Sequence, residues 1–238
     1  MIPEQMDEPT VSKEKLGEAL RFIRQVNRRL GGAQALIGHL KRWAVHWPRN
    51  APVTLIDLAT GSADIPVLAV RWARSRGLDL RVTATDIHET TIELAREHVA
   101  SNPDAADGIE IVNADAFALV GRFGSRSFDY AHAGMFLHHL GSVECLTMLR
   151  IMDRLSKRGL VWNDLVRSRL ALAAVHGLTL GAPPMVRHDA RASVRKGFTR
   201  SEVIEMARRV DLTWCGYESS LWAQRFTLAG ERTGAWKT

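Results

Sequence analysis

The strongest constraint on the fold is a regular alternation of short apolar runs and helical segments between residues 53 and 164. The runs predict strands at residues 53–58, 80–86, 109–115, 127–133 and 159–164. Amphipathic segments between them, such as 90–99 and 143–155, predict helices. Strands that alternate with helices of roughly 10–15 residues are typical of βαβ units. The sequence therefore predicts an α/β protein with a mostly parallel sheet and helices on both of its faces.

The segments on either side of this core predict further elements. Residues 13–47 have a helical apolar period that Gly31-Gly32 interrupts, which indicates two helices. Residues 165–182 predict an extra helix, and the basic stretch 185–198 is expected to be irregular. Thr199 and Glu202 form a capping-box pattern that opens a helix over 201–210. The last two β-rich segments, 212–219 and 221–228, are separated closely enough to pair as an antiparallel hairpin.

Composition excludes several classes of protein. Among 238 residues there are two cysteines, too few for a disulfide framework or a four-sulfur zinc site. The polar, acidic start lacks a signal-peptide core, and the longest apolar stretch, Leu170–Ala182, is shorter than the ~20 residues that span a bilayer. We therefore expect no membrane span and a cytoplasmic protein. The net charge of +6 comes from scattered arginines, without the lysine-arginine block of a nucleic-acid-binding tail.

Acidic residues follow the first three predicted strands, where an open parallel sheet binds its ligand. The first strand leads into a turn of small residues between Asp57 and Asp64, centred on Gly61. A dinucleotide site would place its last glycine where Asp64 stands, and a carboxylate there would repel a pyrophosphate. Asp86 is suited to accept ribose hydroxyls, and Asp115 an exocyclic adenine amine. The pattern therefore indicates a cationic or zwitterionic adenosine ligand without phosphates.

Four motifs in one order carry a family resemblance. The segments LIDLATGSAD, TATDIHETTIELAREH, NADAF and FDYAHAGMFLHHL resemble the successive motifs of class I S-adenosylmethionine-dependent methyltransferases. The turn DLATGSAD is similar to that of the ubiquinone/menaquinone-biosynthesis enzymes. Segments 163–168, 187–189 and 193–198 resemble bacterial small-molecule methyltransferases of polyketide or phenolic metabolism. The chain departs from the family at Ala63, where glycine is usual, so this methyl group could narrow the approach to the methionine moiety.

The resemblance implies a Rossmann-like fold with a seven-stranded, mostly parallel sheet and an antiparallel final strand. It also implies four regions along the chain. These are an N-terminal helical cap (1–50), a cofactor-binding core (51–164), a substrate-cap insertion after strand five (165–198), and closing elements of the same core (199–238).

The resemblance also implies a role for each cofactor residue. Asp57 and Asp64 would face the methionine ammonium, and the turn would offer backbone groups to the methionyl part. Asp86 would bind the ribose, and Ile87 would pack on adenine. Asp115 and the N–H of residue 116 would meet the adenine, while residue 133 would sit beside the cofactor on the substrate face. The implied cofactor-binding residues are Asp57, Ala59, Gly61, Asp64, Asp86, Ile87, Asp115, Ala116 and Ala133. The implied cofactor is S-adenosylmethionine, with S-adenosylhomocysteine as product, and no metal is expected.

The catalytic and acceptor residues are less constrained by sequence. Methyl transfer to an oxygen often uses a general base, for which His132, His138 and His139 are candidates. Alternatively, the reaction needs no base, because aligning a phenolate or an enolisable carbon suffices. Arg187 and His188 in the basic segment are candidates to hold an acidic or phenolic acceptor, unless that segment is only a solvated surface.

The predicted function is methyl transfer to a small molecule, most simply to an aromatic or polyketide hydroxyl. C-methylation of a quinone-type precursor and a non-catalytic cofactor-binding module are the alternatives. Nucleic acid is disfavoured, because the fourth strand lacks the Asn/Asp-Pro-Pro-aromatic segment of adenine methyltransferases and Cys145 falls inside a predicted helix. The protein is expected to be a monomer or a homodimer.

Overall fold

The computed structural model describes residues 4–7, 11–234 and 236. Its central sheet has seven strands in the order β3-β2-β1-β4-β5-β7-β6. β7 runs antiparallel to β5 and β6, and all other neighbouring pairs are parallel. The strands are β1 (Val53–Leu58), β2 (Leu80–Asp86), β3 (Ile109–Asn113), β4 (Phe128–Gly134), β5 (Ser156–Leu165), β6 (Gly216–Ser220) and β7 (Arg225–Glu231). The predicted fold class, a Rossmann-like α/β sheet of seven strands, is confirmed.

Ten α-helices accompany the sheet in the described part of the chain. They are α1 (Lys13–Arg29), α2 (Gly32–Trp43), α3 (Asp64–Arg74), α4 (Glu89–Ala100), α5 (Pro103–Ala106), α6 (Leu119–Phe123), α7 (Ser142–Leu155), α8 (Arg169–Leu178), α9 (Pro184–Lys196) and α10 (Arg200–Arg209). No helix in the described ranges is both long enough and apolar enough to cross a bilayer.

Two hydrophobic clusters cover the two faces of the sheet. On one face, α2 and α3 pack over side chains such as Leu55 and Tyr130. On the other face, α7 and α10 pack over side chains such as Ile56 and Trp162. Because alternate residues of a strand point to opposite faces, β1 and β4 contribute to both clusters. The doubly covered sheet explains why its central strands read as nearly continuous apolar runs.

The break between α1 and α2 depends on two glycines. Gly31 has a φ of +79°, a left-handed conformation that glycine adopts without steric cost. A Cβ at Gly32 would lie 2.4 Å from the Asn27 side-chain oxygen, so only glycine lets the two helices approach this closely. The turn thereby fixes Asn27 at the end of α1 beside the start of α2.

Two predictions about the C-terminal third are wrong. Residues 185–198 were expected to be irregular, yet most of them form α9, which begins at Pro184, a residue favoured in the first turn of a helix. The hairpin of β6 and β7 exists, but its loop comprises the four residues 221–224 and is longer than the predicted segments implied.

The helices α8 and α9 pack against each other, and α9 also contacts α1 and residues 5–7. The assignment of residues 165–198 as a substrate cap remains a prediction, as do the other regional boundaries. Residues 1–3, 8–10, 235, 237 and 238 of those regions lie outside the described residues.

Candidate active site at the carboxyl edge of the sheet

A cavity of about 660 Å³ opens at the carboxyl edge of the sheet. Its floor is formed by the ends of β1, β2 and β4 together with the segments that follow them. Its walls come from α1, α8, α9 and the loop 221–224, and its surface is mostly apolar. Pockets of roughly 300–1,000 Å³ are typical sites for small ligands. The cavity occupies the place where the sequence predicted a ligand.

Three residues of the turn after β1 have left-handed backbone conformations, with φ angles of +52° at Ala59, +57° at Gly61 and +54° at Ala63. Ala59 and Gly61 line the cavity as predicted, whereas Ala63 is completely buried in the core on the α3 side. The Ala63 methyl group therefore does not narrow the cavity. This resolves the only departure from the family pattern that the sequence raised in this turn.

Asp86 ties the turn to the end of β2. One carboxylate oxygen accepts the Gly61 N–H at 3.1 Å, and the other accepts the His88 N–H at 3.1 Å. Burial raises the pKa of Asp86, although these backbone hydrogen bonds oppose the rise. Each oxygen keeps a further lone pair for a ligand hydroxyl. The side chain lines the cavity in the position predicted for ribose binding.

Apolar side chains flank the next part of the cavity. Ile87 and Phe117 both line it and are 55% and 39% exposed, which is unusual for large apolar residues next to a buried core. Asp115 and Ala116 also line this part, and the Asp115 carboxylate accepts the Phe117 N–H at 2.9 Å. Two exposed apolar side chains and a carboxylate lining one cavity suit a planar heterocycle. Sequence reasoning missed Phe117, although its place two residues after Asp115 was a usable signal.

Asp57 and His132 form a buried pair on adjacent strands. The Asp57 carboxylate lies 2.5 Å from His132 Nδ1 and accepts a second hydrogen bond from the Thr60 hydroxyl at 2.6 Å. An Nδ1–H donated to Asp57 leaves a lone pair on Nε2 of the neutral ring. His132 Nε2 is buried without a hydrogen-bond partner among the described residues, and the ring lines the cavity. The geometry thus leaves one ring nitrogen of an oriented histidine without a partner from the described part of the chain at the cavity.

Ala133 does not have its predicted place. It is fully buried in the cluster beneath α7, with Ala131 on the same side of β4. The side chains of a strand alternate, so the cavity receives His132 and Gly134 instead. A Cβ at position 134 would come within 2.9 Å of the His132 ring. The glycine therefore leaves room for that ring at the cavity wall.

A second chain of polar contacts crosses the cavity wall. Asp64 accepts hydrogen bonds from Asn27 Nδ2 at 3.1 Å and from the Ser62 hydroxyl at 3.2 Å. The Asn27 side-chain oxygen accepts a hydrogen bond from Arg225 Nη2 at 3.0 Å. Burial raises the pKa of Asp64, and the two side-chain hydrogen bonds oppose this rise. Asn27 and Arg225 were not predicted; the one available signal was a charged residue within an apolar strand segment.

His138 lines the cavity but does not fit the role of a base. Its Nδ1 lies 2.7 Å from the Asp164 carboxylate, and its Nε2 lies 3.6 Å from Glu4. Burial alone would lower the pKa of His138, but the charge and hydrogen bond of Asp164 and the contacts with Glu4 outweigh it and raise the pKa to about 9. A ring that is protonated at neutral pH cannot accept a proton. The structure therefore argues against the prediction that His138 is catalytic.

The N-terminal residues close over this histidine. Glu4 is buried and forms ion pairs with Lys196 at 3.1 Å, with His138, and with His139 at 3.7 Å. Burial would raise the pKa of Glu4, but its contact with His138 and the neighbouring positive charges of His139 and Lys196 lower the pKa to about 2. The backbone N–H groups of residues 5 and 6 donate to the Asp189 carboxylate at 2.8 and 3.0 Å. These contacts fasten residues 4–6 across the cavity wall made by α9.

Arg187 and His188 do not lie where the sequence predicted. The face of α9 that lines the cavity comprises Val186, Asp189, Ala190, Ser193 and Val194, which follow the helical period. Arg187 and His188 fall between these positions, do not line the cavity, and His188 is exposed. The structure therefore places neither side chain at this cavity, because the segment is a helix and not the expected irregular loop.

Comparison with known proteins agrees with this geometry. Residues 55–159 match the family model of a methyltransferase domain. Among curated proteins, none matches the sequence significantly.

Three solved structures illustrate the likeness in fold. Magnesium protoporphyrin IX methyltransferase from Synechocystis PCC 6803, solved with bound S-adenosylhomocysteine, is 13% identical with a TM-score of 0.58, covering 85% of this chain and 83% of that one. An O-methyltransferase family protein from Burkholderia thailandensis is 19% identical (TM-score 0.59; 88% and 58% covered). The CurJ carbon methyltransferase is 12% identical (TM-score 0.58; 78% and 50% covered). At these identities the likeness shows a shared fold.

Proposed function

We propose that this chain transfers the methyl group of S-adenosylmethionine to a small molecule, because residues 55–159 match the family model of a methyltransferase domain and the fold is that of solved methyltransferases. The observation that carries the proposal is the Asp57–His132 pair, whose unpartnered Nε2 lies at a cavity otherwise built for an adenosine ligand. The likeness to proteins such as the Synechocystis enzyme, which was solved with S-adenosylhomocysteine, supports the choice of cofactor.

The residues present fit this cofactor. Asp86 would accept the ribose hydroxyls, and Ile87 and Phe117 would hold the adenine between apolar surfaces, with Asp115 accepting its amine. The backbone of the turn at Gly61 and the carboxylate of Asp64 would face the methionyl end. When bound, the cofactor supplies an electrophilic methyl group on a sulfonium. No pyrophosphate is accommodated, because Asp57, Asp64 and Asp86 surround the turn with carboxylates.

The chain's own contribution to the chemistry is orientation and proton removal. Asp57 holds the His132 ring through Nδ1, which fixes the tautomer with its lone pair on Nε2. Nε2 would take the proton of an acceptor hydroxyl as that oxygen bonds to the methyl group. The mostly apolar walls from α1, α8 and α9 would limit the access of water to the reacting oxygen. O-methylation of an aromatic or polyketide hydroxyl is therefore the proposed reaction.

C-methylation of a quinone-type precursor is the second candidate. The specific observation in its favour is the likeness to a carbon methyltransferase over most of this chain. The same base would then remove a proton from an enolisable or phenolic acceptor. Analysis of the methylated product by NMR separates the two, because an O-methyl and a C-methyl carbon have different shifts.

The test begins with calorimetry of the purified chain. We expect S-adenosylhomocysteine to bind and NAD not to bind. Incubation with methyl-labelled S-adenosylmethionine and a panel of phenols and polyketide aromatics should then transfer label to an acceptor. Binding without any transfer would support a non-catalytic module, and failure to bind S-adenosylhomocysteine would refute the proposal.

A further inference from the structure

Arg225 is a buried cation at the edge of the cavity. It begins β7 and pairs in register with Leu165 at the end of β5, so it lies at the carboxyl edge of the sheet. It is 5% exposed and lines the cavity together with the exposed Trp222 of the preceding loop. A guanidinium keeps its charge at any physiological pH. The fold therefore places a permanent positive charge in a mostly apolar chamber.

Within the described residues this charge has no ion-pair partner. Arg225 Nη2 donates to the neutral Asn27 amide at 3.0 Å, whereas Nη1 is buried without a hydrogen-bond partner. The two carboxylates whose charges act on Arg225, Asp164 and Asp64, are engaged elsewhere. Asp64 accepts a hydrogen bond from the amide nitrogen of Asn27, and Asp164 pairs with His138 at 2.7 Å. A buried charge that is neither paired nor fully hydrogen-bonded is costly, and such groups are found mainly where a ligand completes them.

We propose that Arg225 binds an anionic oxygen of the methyl acceptor, a carboxylate or a phenolate carried on an apolar, aromatic body. The identification of the ligand as an acceptor rests on the proposed function. The two Nη groups differ in use: Nη2 is held by Asn27, so Nη1 remains to donate to the anion. Asn27 in turn is fixed by Asp64, and this relay keeps the guanidinium oriented when no ligand is bound.

The position of Arg225 favours the acceptor over the cofactor as the source of the anion. Most residues proposed to hold the cofactor follow the ends of β1, β2 and β3, and only Asp64, at the start of α3, is linked to Arg225, through Asn27. Arg225 lies on β7, beyond both β4 and β5 in the sheet order. His132 on β4 thus stands between the cofactor residues and Arg225. An acceptor anchored by its anion on β7 would extend toward this histidine.

The test uses the protein saturated with S-adenosylhomocysteine and the probes 2-naphthoate and 2-naphthamide, which differ mainly in charge. We expect the wild type to bind naphthoate at least about tenfold more tightly than the amide, one tenfold step being 1.4 kcal/mol. Arg225→Met should abolish this preference, and Arg225→Lys should retain part of it. Arg208→Met, at an exposed position on α10, is the matched control and should behave as wild type. Should Arg225→Met fail to fold, Arg225→Gln, which keeps a hydrogen-bond donor without the charge, carries the same comparison.

A second arm identifies the source of the anion. S-adenosylhomocysteine carries a carboxylate, whereas 5′-methylthioadenosine has lost the amino-acid part. Arg225→Met should leave the affinity for both nucleosides within about twofold. If only the S-adenosylhomocysteine affinity falls, Arg225 serves the cofactor and the acceptor assignment is overturned. Equal binding of naphthoate and naphthamide to the wild type, including no binding of either, would overturn the anion site while leaving the proposed function to its own test.

Discussion

Asp57 and His132 are register partners on the adjacent parallel strands β1 and β4, and their side chains meet at 2.5 Å. Residues that are paired directly on neighbouring strands point to the same face of the sheet, so their side chains can touch. Here that face is the one that opens into the cavity. Asp57, which the sequence assigned to the cofactor, therefore also holds the ring of His132 in place.

The first prediction concerns the base. His132→Gln should lower turnover on a hydroxyl acceptor about 10²- to 10⁴-fold, the usual contribution of a general base. The affinity for S-adenosylhomocysteine should not change, because the histidine is not proposed to contact the cofactor. Label transfer measures turnover, calorimetry measures affinity, and the exposed His46→Gln is the control. Wild-type turnover in the folded variant would show that the reaction needs no base here.

The second prediction concerns the ribose site. Asp86→Ala removes a carboxylate proposed to accept ligand hydroxyls, and hydrogen bonds to charged groups contribute about 1.5–3 kcal/mol. The affinity for S-adenosylhomocysteine should fall at least about tenfold in calorimetry. The variant should also be less stable, because the Gly61 and His88 N–H groups lose their acceptor. Glu205→Ala on the exposed face of α10 is the control. Unchanged affinity for S-adenosylhomocysteine in a folded variant would refute the proposed role of Asp86 in ribose binding.

The strand-end residues could be predicted because the sequence itself marks the strand ends. Asp57 lies within the first apolar run, and Asp86 closes the second; a parallel sheet brings such ends together at one edge. This reasoning needs only the period of the apolar residues. It does not reveal which strands are neighbours, so the contact between Asp57 and His132 could not be foreseen from their separate positions.

The missed residues depend on packing between distant elements. Asn27 and Arg225 are 198 positions apart, and neither belongs to a recognisable motif. The helix α9 was missed for a different reason. Its inward face carries Ala190 and Ser193 beside Asp189, because it lines a cavity instead of a close-packed core. A helix with so few large apolar residues gives a weak periodic signal.

The third prediction concerns pH and stability. The pKa of His138 in the folded protein is about 9, above the ordinary value of 6.5. The stabilisation from its protonated form is therefore complete below pH 6.5 and is lost as the pH rises through about 9. A shift of this size corresponds to on the order of 2–4 kcal/mol. Urea unfolding of the wild type should show this loss between pH 6.5 and 9.5.

In the same experiment His138→Gln should be less stable than the wild type at pH 6 and nearly independent of pH over this window. His46→Gln should follow the wild type, because that ring is exposed. An equal pH dependence in wild type and His138→Gln would show that another group is responsible.

The fourth prediction separates the two faces of α9. Ala190 lines the cavity, whereas His188, two residues earlier, is exposed on the outer side. Ala190→Leu adds three carbon atoms to the cavity wall and should weaken binding of 2-naphthoate about tenfold. Extra carbon atoms in a filled site typically cost about 1–3 kcal/mol. The affinity for S-adenosylhomocysteine should remain within about twofold, because most of the cofactor residues follow the ends of β1 to β3.

The control His188→Leu introduces the same side chain on the outer face of α9 and should change neither affinity. Arg187→Ala should likewise leave both affinities unchanged. If His188→Leu or Arg187→Ala lowered naphthoate affinity as much as Ala190→Leu, the outer face of α9 would have to contact the acceptor, and the helical placement of the cavity wall would be wrong.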